Sequence, residues 1–338
     1  MPRQATSHRL DRLIDLLLEN ATVVVPGPKI AAELRVPAST VWDWIERLRS
    51  MGVEIRGYPA RGYQLQKLPD LLTPGLLRAE LGECEIGKKI VHYFVAGSTN
   101  TEALRLAARG ALHGTVVVAE EQTAGRGRLG RSWYSEKGSG IYASILLRPP
   151  FPPSRAPLLT LVAGISAHQA IAQLTDLKPE IRWPNDLLLG GKKVGGILTE
   201  MSAEVDRVHS VVLGIGLNVN HVAMPPALSG IASSLRIETG KAYSRVRLTA
   251  ILLRETERFY RMLLDEGGGA IATRWEQASG FARGRRVRVL RTAGEAFGAT
   301  EGLEPSGALR VRFDDGRVEA LVSGEVIEVK QASHAPGD

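Results

Sequence analysis

The 338-residue sequence predicts an α+β protein in three units: an N-terminal winged helix-turn-helix, a central mixed β-sheet with helices on one side, and a small C-terminal β-barrel. Three observations predict this. Residues 1–66 run helix, short helix, turn, helix and hairpin. Residues 73–275 alternate between the apolar periods of helices and of strands. Residues 280–330 hold only short strands between glycine turns. A chain of this length is long for one domain and comfortable for two or three, so it can bury a large core without staples.

In the first unit, Leu10, Leu13, Ile14, Leu17 and Leu18 mark one helix, PKIAAEL a second and STVWDWIERLRSMG a third. Ser39 is placed to cap the third helix and Gly52 to stop it. VEIRGYPARGYQL then reads as two strands around a Pro/Gly turn. This order would put the third helix in a DNA major groove, offering Ser39, Thr40, Asp43, Arg47 and Arg49, with Arg56 and Arg61 on the wing within reach of phosphates. The unit carries nine Lys/Arg against seven Asp/Glu, so its charge alone does not mark a DNA binder. A helical module for protein contacts or autoregulation stays open.

QKLPDLLTP reads as a linker. Beyond it TEALRLAARG is helical, TVVVAEE a strand, GIYASILLRP a strand of period two, and APLLTLVAGISAHQAIAQL a long apolar helix. IRW, LLL, VGGILTEM and HSVVLGIGLNV read as strands, and Arg245 to Leu264 as an amphipathic helix. The short turns GGKK and EVD point to antiparallel pairing. RRVRVL, AFGATEGL, ALRVRF, RVEALVS and EVIEV are the barrel strands, and QASHAPGD a frayed tail.

A formal net charge of +7 favours an anionic partner without naming it. The one cysteine, Cys84, cannot form an internal disulfide, suits a reducing compartment and reads as a small buried hydrophobe. No run reaches the roughly 18 apolar residues of a membrane span, and the N-terminus lacks a signal-peptide core, so a soluble cytoplasmic protein is expected. The seven histidines show no metal-ligand spacing; His92, His168 and His209 read as packing or surface residues, and no protein metal site is expected.

QTAGRGRLGRSW, residues 122–133, concentrates arginine on a flexible backbone without an acid. Gly125, Gly127 and Gly130 match G-x-G-x-x-G, but SWYSEKGSG follows and no helix opens, so the dinucleotide fingerprint lacks its context. An arginine-rich RNA-binding segment, with Arg126, Arg128 and Arg131 beside Trp133, and an idle solvated loop are two further readings. Glycine lets such a loop close around a ligand, while arginine forks bind phosphate or carboxylate, so a lid over a small dianion is the third.

Together with RWPND at 182–186, KKVGGILTE at 192–200 and STN at 98–100, this stretch resembles the bifunctional biotin protein ligase and biotin operon repressor family. The likeness spans nearly the whole chain. It implies a catalytic domain like that of class II aminoacyl-tRNA synthetases and a C-terminal SH3-like barrel. It further implies formation of biotinyl-5′-AMP from biotin and MgATP, then transfer of biotin to a lysine of the biotin carboxyl carrier protein of acetyl-CoA carboxylase. By this resemblance Ser98, Thr99, Asn100, Gln122 and Gly196 lie beside biotin. Arg126, Gly127 and Arg128 close over it, and Lys193 sits against carboxylate and phosphate. Lys193, Arg126 and Arg128 are then the catalytic cations, since a carboxylate must be forced onto an α-phosphate. Trp133, Asn185 and Asn218 fall on the ATP side, Trp183 and Pro184 are read as structural, and Gly195 and Gly196 as points of close backbone approach.

The chain departs from the family's pattern at Gly97, Arg182 and Leu129, where Asp, Lys and Arg are common. Leu129 removes one lid cation. The resemblance also implies operator DNA as a partner and a homodimer formed on adenylate binding. A lipoate or octanoate ligase, and a ligand-sensing regulator without ligase activity, are the competing readings.

Overall fold

The computed structural model describes residues 2–291 and 294–329; the expected tail QASHAPGD lies outside them. Helices α1 (Pro2–Glu19), α2 (Gly27–Leu34) and α3 (Ala38–Ser50) precede a hairpin of β1 (Glu54–Tyr58) and β2 (Gly62–Lys67). Leu10, Leu13, Ile14, Ile30, Ile45 and Leu48 form their shared core. Gly62 stands at φ +124°, and a Cβ there would lie 2.0 Å from the Val25 carbonyl oxygen, so only glycine lets the wing meet the turn before α2. Gly52, at φ +91°, follows α3 as anticipated. Ser39 does not cap that helix: the cap position is Pro37, whose fixed φ suits a helix entry, and no side chain caps it.

The anticipated linker is a packed segment. Leu71, Leu72 and Thr73 are buried, and Thr73 caps α4 (Pro74–Leu81). Next come β3 (Ile90–Tyr93), α5 (Thr99–Ala108), β4 (Val116–Ala119), β5 (Gly140–Leu147) and α6 (Pro157–Thr175). They are followed by β6 (Glu180–Arg182), β7 (Asp186–Leu189), β8 (Lys192–Ala203) and β9 (Val208–Asn218). Finally α7 (Leu235–Thr239), α8 (Arg245–Asp265) and α9 (Gly268–Ala278) lead to the last unit.

The strands β3 to β9 make a seven-stranded sheet in the order β3-β4-β5-β9-β8-β7-β6. Only β3 and β4 pair in parallel; the short turns give antiparallel neighbours, as their sequences indicate. Helices cover both faces, not one. Val116 and Val118 of β4 join the core under α4, α6 and α8, while Val117 and Ala119 join a smaller core with Ala103 of α5. For the same reason β5 is buried along its whole length, and its expected period of two is lost. Although α6 is long and apolar enough to cross a membrane, it is the central core helix, packed on α8, α9 and the sheet. Cys84 is buried as expected, but its thiol donates to Glu257 (2.7 Å).

Strands β10 (Arg283–Arg291), β11 (Gly294–Leu303), β12 (Leu309–Phe313), β13 (Val318–Leu321) and β14 (Glu325–Glu328) form an antiparallel sheet in the order β13-β12-β11-β10-β14. It shares one core with the central sheet, through Phe281, Val287, Leu309 and Trp275. Trp183 ties it further by donating its indole N–H to the Gly307 carbonyl (3.1 Å). Trp275 on α9 has no exposed surface and packs where these units meet. Trp275→Ala is expected to cost about 3–5 kcal/mol, read as a lowered denaturant midpoint; an unchanged midpoint would contradict this packing.

Candidate active site

The start of α5, the stretch 122–133 and the glycines of β8 and β9 converge on one end of the sheet. The stretch is a folded flap. Arg126 bridges to Ser132, Gly127 N–H donates to the Arg131 carbonyl (2.6 Å), and residues 128–130 make a single tight turn. No helix follows it, which removes the dinucleotide reading. Leu129 forms the tip, 74% exposed at φ +56°.

Beneath the flap the STN segment is held by side chains. Gln122 Oε1 accepts from the Thr99 N–H (2.8 Å) and hydroxyl (3.1 Å). Ser144 Oγ lies 2.6 Å from Asn100 Oδ1 and 2.8 Å from Thr99 Oγ1. Asn100 Nδ2 donates to Glu200 (2.8 Å) and to the Leu198 carbonyl (3.1 Å). Ser98 occupies the cap position of α5, yet its hydroxyl makes no capping bond.

Four cations meet here. Arg126 pairs with Glu200 (2.7 Å), Arg128 donates to Asn185 Oδ1 (3.0 Å), and Asp186 holds both Lys193 (2.6 Å) and Arg182 (3.0 Å). Two carboxylates against four cations leave the site positive and receptive to anions. Lys193 Nζ also stands 5.5 Å from the Trp133 ring centre.

Trp133 divides the site into two cavities. One, about 50 Å³, is bounded by Ser98, Thr99, Asn100, Gln122 and Gly214. The other, about 420 Å³, lies between Arg131, Asn218, Met224, Leu228 and Ile231. Gly127, Arg128, Trp133, Asn185 and Lys193 line both. The smaller cavity falls below the ~300–1,000 Å³ usual for small-molecule sites, so filling it requires its walls to move. Trp133 and the flap are walls that lie outside the sheet. The indole rests on bare backbone: a Cβ on Gly216 would lie 2.6 Å from it and one on Gly196 2.9 Å.

Comparison with known proteins places this geometry. Residues 92–218 match the biotin/lipoate A/B protein ligase family, residues 9–64 an HTH domain and residues 283–327 the biotin protein ligase C terminal domain. The bifunctional ligase/repressor BirA of Bacillus subtilis is 37% identical over 317 residues, spanning 93% of this chain and 97% of its own. The chain belongs to the bifunctional biotin ligase/repressor family. The Escherichia coli BirA is 29% identical over 89% of this chain and 91% of its own. A biotin protein ligase from Aquifex aeolicus, solved in complex with biotin and ATP, superposes at a TM-score of 0.63 with 29% identity, covering 72% of this chain and all of that one.

Within this family frame, every residue singled out for the biotin side lines the smaller cavity, and Trp133, Asn185 and Asn218 line the larger. Gly195 does not belong with them: a Cβ there would meet Leu217 and Leu187 in the core, while Gly196 faces the cavity. Three polar groups escaped the sequence reading. Asp186 ends the WPND motif and Glu200 ends KKVGGILTE; both sit inside motifs already marked. Ser144, in a buried apolar strand, carries no local signal.

On the helix-turn-helix, Ser39, Arg47, Arg56 and Arg61 are exposed and Thr40 half-buried. Arg49 is not a free contact residue. Its guanidinium folds back to the Ile55 carbonyl (2.7 and 2.9 Å) and pairs with Glu46, bracing the helix against the wing. Trp42, 57% exposed on α3, was not anticipated.

Gly216→Ala should lift Trp133 from its seat. Amide exchange across 122–133 is expected to rise about tenfold, equal to about 1.4 kcal/mol of local opening. Unchanged protection there would show that the indole does not hold the flap.

Proposed function

We propose that the chain is a biotin–[acetyl-CoA-carboxylase] ligase that also represses transcription, with residues 1–66, 73–275 and 280–330 as its three units. One observation carries the ligase reading: two cavities share a wall built of Arg128, Asn185 and Lys193. A carboxylate reaching that wall from one side meets a phosphate reaching it from the other. Biotin occupies the smaller cavity, its ureido group facing Ser98, Thr99, Asn100 and Gln122, with Gly196 giving it room. ATP occupies the larger, its base near Trp133 and its polar groups near Asn185 and Asn218. The Aquifex aeolicus relative, described with biotin and ATP bound, supports this pairing.

In the first step a biotin carboxylate oxygen bonds to the α-phosphorus of ATP and pyrophosphate leaves. In the second, the carrier lysine amine bonds to the acyl carbon, loses a proton and expels AMP. Lys193, Arg126 and Arg128 neutralise the two anions and the charge that develops between them. Mg²⁺ enters as part of MgATP. Among the described residues there is no cluster of three side chains to cage a metal, and Asp186 at the cavity edge fits an ion held chiefly by phosphates.

Repression rests on the helix-turn-helix, whose exposed Ser39, Arg47, Arg56 and Arg61 and half-buried Thr40 face operator DNA, with two copies pairing on a two-fold site after adenylate formation. The protein works in the cytoplasm, where its carrier partner resides. The decisive experiment incubates it with biotin, MgATP and a carrier domain and reads the carrier's mass; lipoate in place of biotin tests the competing branch, and a gel shift with the adenylated protein tests repression. Lys193→Ala is expected to cut biotin-dependent ATP–pyrophosphate exchange by about 10²–10³-fold with circular dichroism unchanged. Exchange at the wild-type rate would remove Lys193 from the chemistry.

A further inference from the structure

Five charged or titratable side chains with no part in the ligase chemistry meet where the helix-turn-helix touches the sheet. Asp11 on α1, His92 on β3, Glu120 just past β4 and Arg245 at the start of α8 are each at most 3% exposed, and Asp70 of the connecting segment joins them. The His92 Nδ1 lies 2.7 Å from Asp11 Oδ1 and its Nε2 lies 3.3 Å from Glu120 Oε1. Glu120 accepts the Leu72 N–H (2.6 Å) and forms an ion pair with Arg245 (2.8 Å). Asp70 accepts the N–H groups of Arg245 (2.6 Å) and Val246 (3.2 Å). The chain from α1 to α8 is therefore continuous.

The geometry fixes the charge on the histidine. An ionised carboxylate only accepts hydrogen bonds, and both imidazole nitrogens face carboxylates. Both nitrogens must then donate, which makes the ring an imidazolium. A neutral ring would leave one carboxylate facing a bare nitrogen lone pair in a site closed to water, with Asp11 and Glu120 repelling across it.

We infer that His92, as an imidazolium, is the positioning residue that locks the helix-turn-helix onto the ligase sheet in a single pose. Removing its charge releases the domain. This inference concerns how the domain sits and does not rest on what α3 reads. Apolar contact alone does not set the pose. Among the described residues, only Leu71 and Phe94 from outside the helix-turn-helix enter its buried core, whereas the Asp11 bond has one length and one direction. Phe94 additionally stacks edge-on against the His92 ring at 4.6 Å.

The pH dependence follows. Burial pushes His92 down, but the field and hydrogen bond of Asp11, then those of Glu120, outweigh it and raise it to about 9. Its contribution to docking is thus complete below its ordinary value of 6.5 and is lost as pH rises through about 9. Burial pushes Glu120 up, but Arg245 and then His92 hold it well below the usual carboxylate range, so its contribution is lost only in acid. Around this cluster Asp15 on α1 faces Asp11, with Glu19 and His8 on α1 and Arg78 on α4 about it, while Tyr142 of β5 and His221 face Arg245.

The test uses the full chain carrying fluorophores at Val23→Cys and Val205→Cys, which are 52% and 101% exposed, while Cys84 is buried. Wild type is expected to give one narrow inter-dye distance at pH 6.5 that broadens with a midpoint near 9. His92→Gln should be broad at every pH and lose the midpoint, and His8→Gln should match wild type. If His92→Gln does not fold, Asp11→Asn, which alters only the helix-turn-helix side, must give the same broad, pH-independent distribution. A narrow distance with the wild-type pH profile in His92→Gln or in Asp11→Asn overturns the inference, as does a wild-type midpoint that moves with His8→Gln.

Discussion

Like charges crowded into one pocket repel, and this active site must hold Arg126, Arg128, Arg182 and Lys193 together before any anion arrives. The sheet solves this with acceptors set on its own strands. Asp186 on β7 takes two of the cations, Glu200 on β8 takes Arg126, and Asn185 takes Arg128. The flap is therefore braced by acceptors on the sheet. Its arginines are oriented by carboxylates whose pairings an incoming phosphate or carboxylate can exchange for its own, so the positive field is prepared in advance.

Backbone without side chains performs the complementary task. Gly196 and Gly216 pair across β8 and β9, and their missing Cβ atoms leave the shallow seat that the Trp133 indole fills. Gly214, two residues along β9, makes the same kind of room for Asn100, whose Oδ1 would otherwise lie 2.2 Å from a Cβ. Small residues in a buried strand usually weaken it. Here the loss is offset because the vacated volume holds the partition between the cavities and the amide that anchors α5.

Much of this was legible in the sequence, because the signals were local. The lid's glycines and arginines, the WPND turn, the KVGGILTE strand and the short antiparallel turns each declare themselves within a dozen residues. What escaped depended on distant partners. His92 reads as packing because its acceptor, Asp11, lies 81 residues upstream and in another domain. Arg49 flanks the buried stripe of α3 and reads from sequence as an exposed contact residue, yet the Ile55 carbonyl that claims it belongs to the hairpin. The four-residue β3 and the eight-residue α4 are too short for a period to show, and β3 is buried on both faces. Helices on a single face and an alternating β5 were both expected; α5 covers the second face and removes the contrast along β5.

Apolar and ionic contacts of the helix-turn-helix with the rest of the chain divide their labour. Burying Leu71 and Phe94 against its core supplies favourable energy, but apolar contact tolerates sliding and rotation. A buried ionic chain contributes little net stability once desolvation is counted, and replacing one by well-packed apolar groups is often neutral or better. What it supplies is direction, since an imidazolium between two carboxylates has one arrangement that satisfies both. Asp15 adds a second directional constraint: a Cβ on Gly75 would lie 2.1 Å from its Oδ1, so the carboxylate fits only over the bare backbone at the start of α4. Placing charge at this joint sacrifices adhesion for a fixed angle between α3 and the sheet. A protein that must present its recognition helix in one orientation needs the angle more than the adhesion.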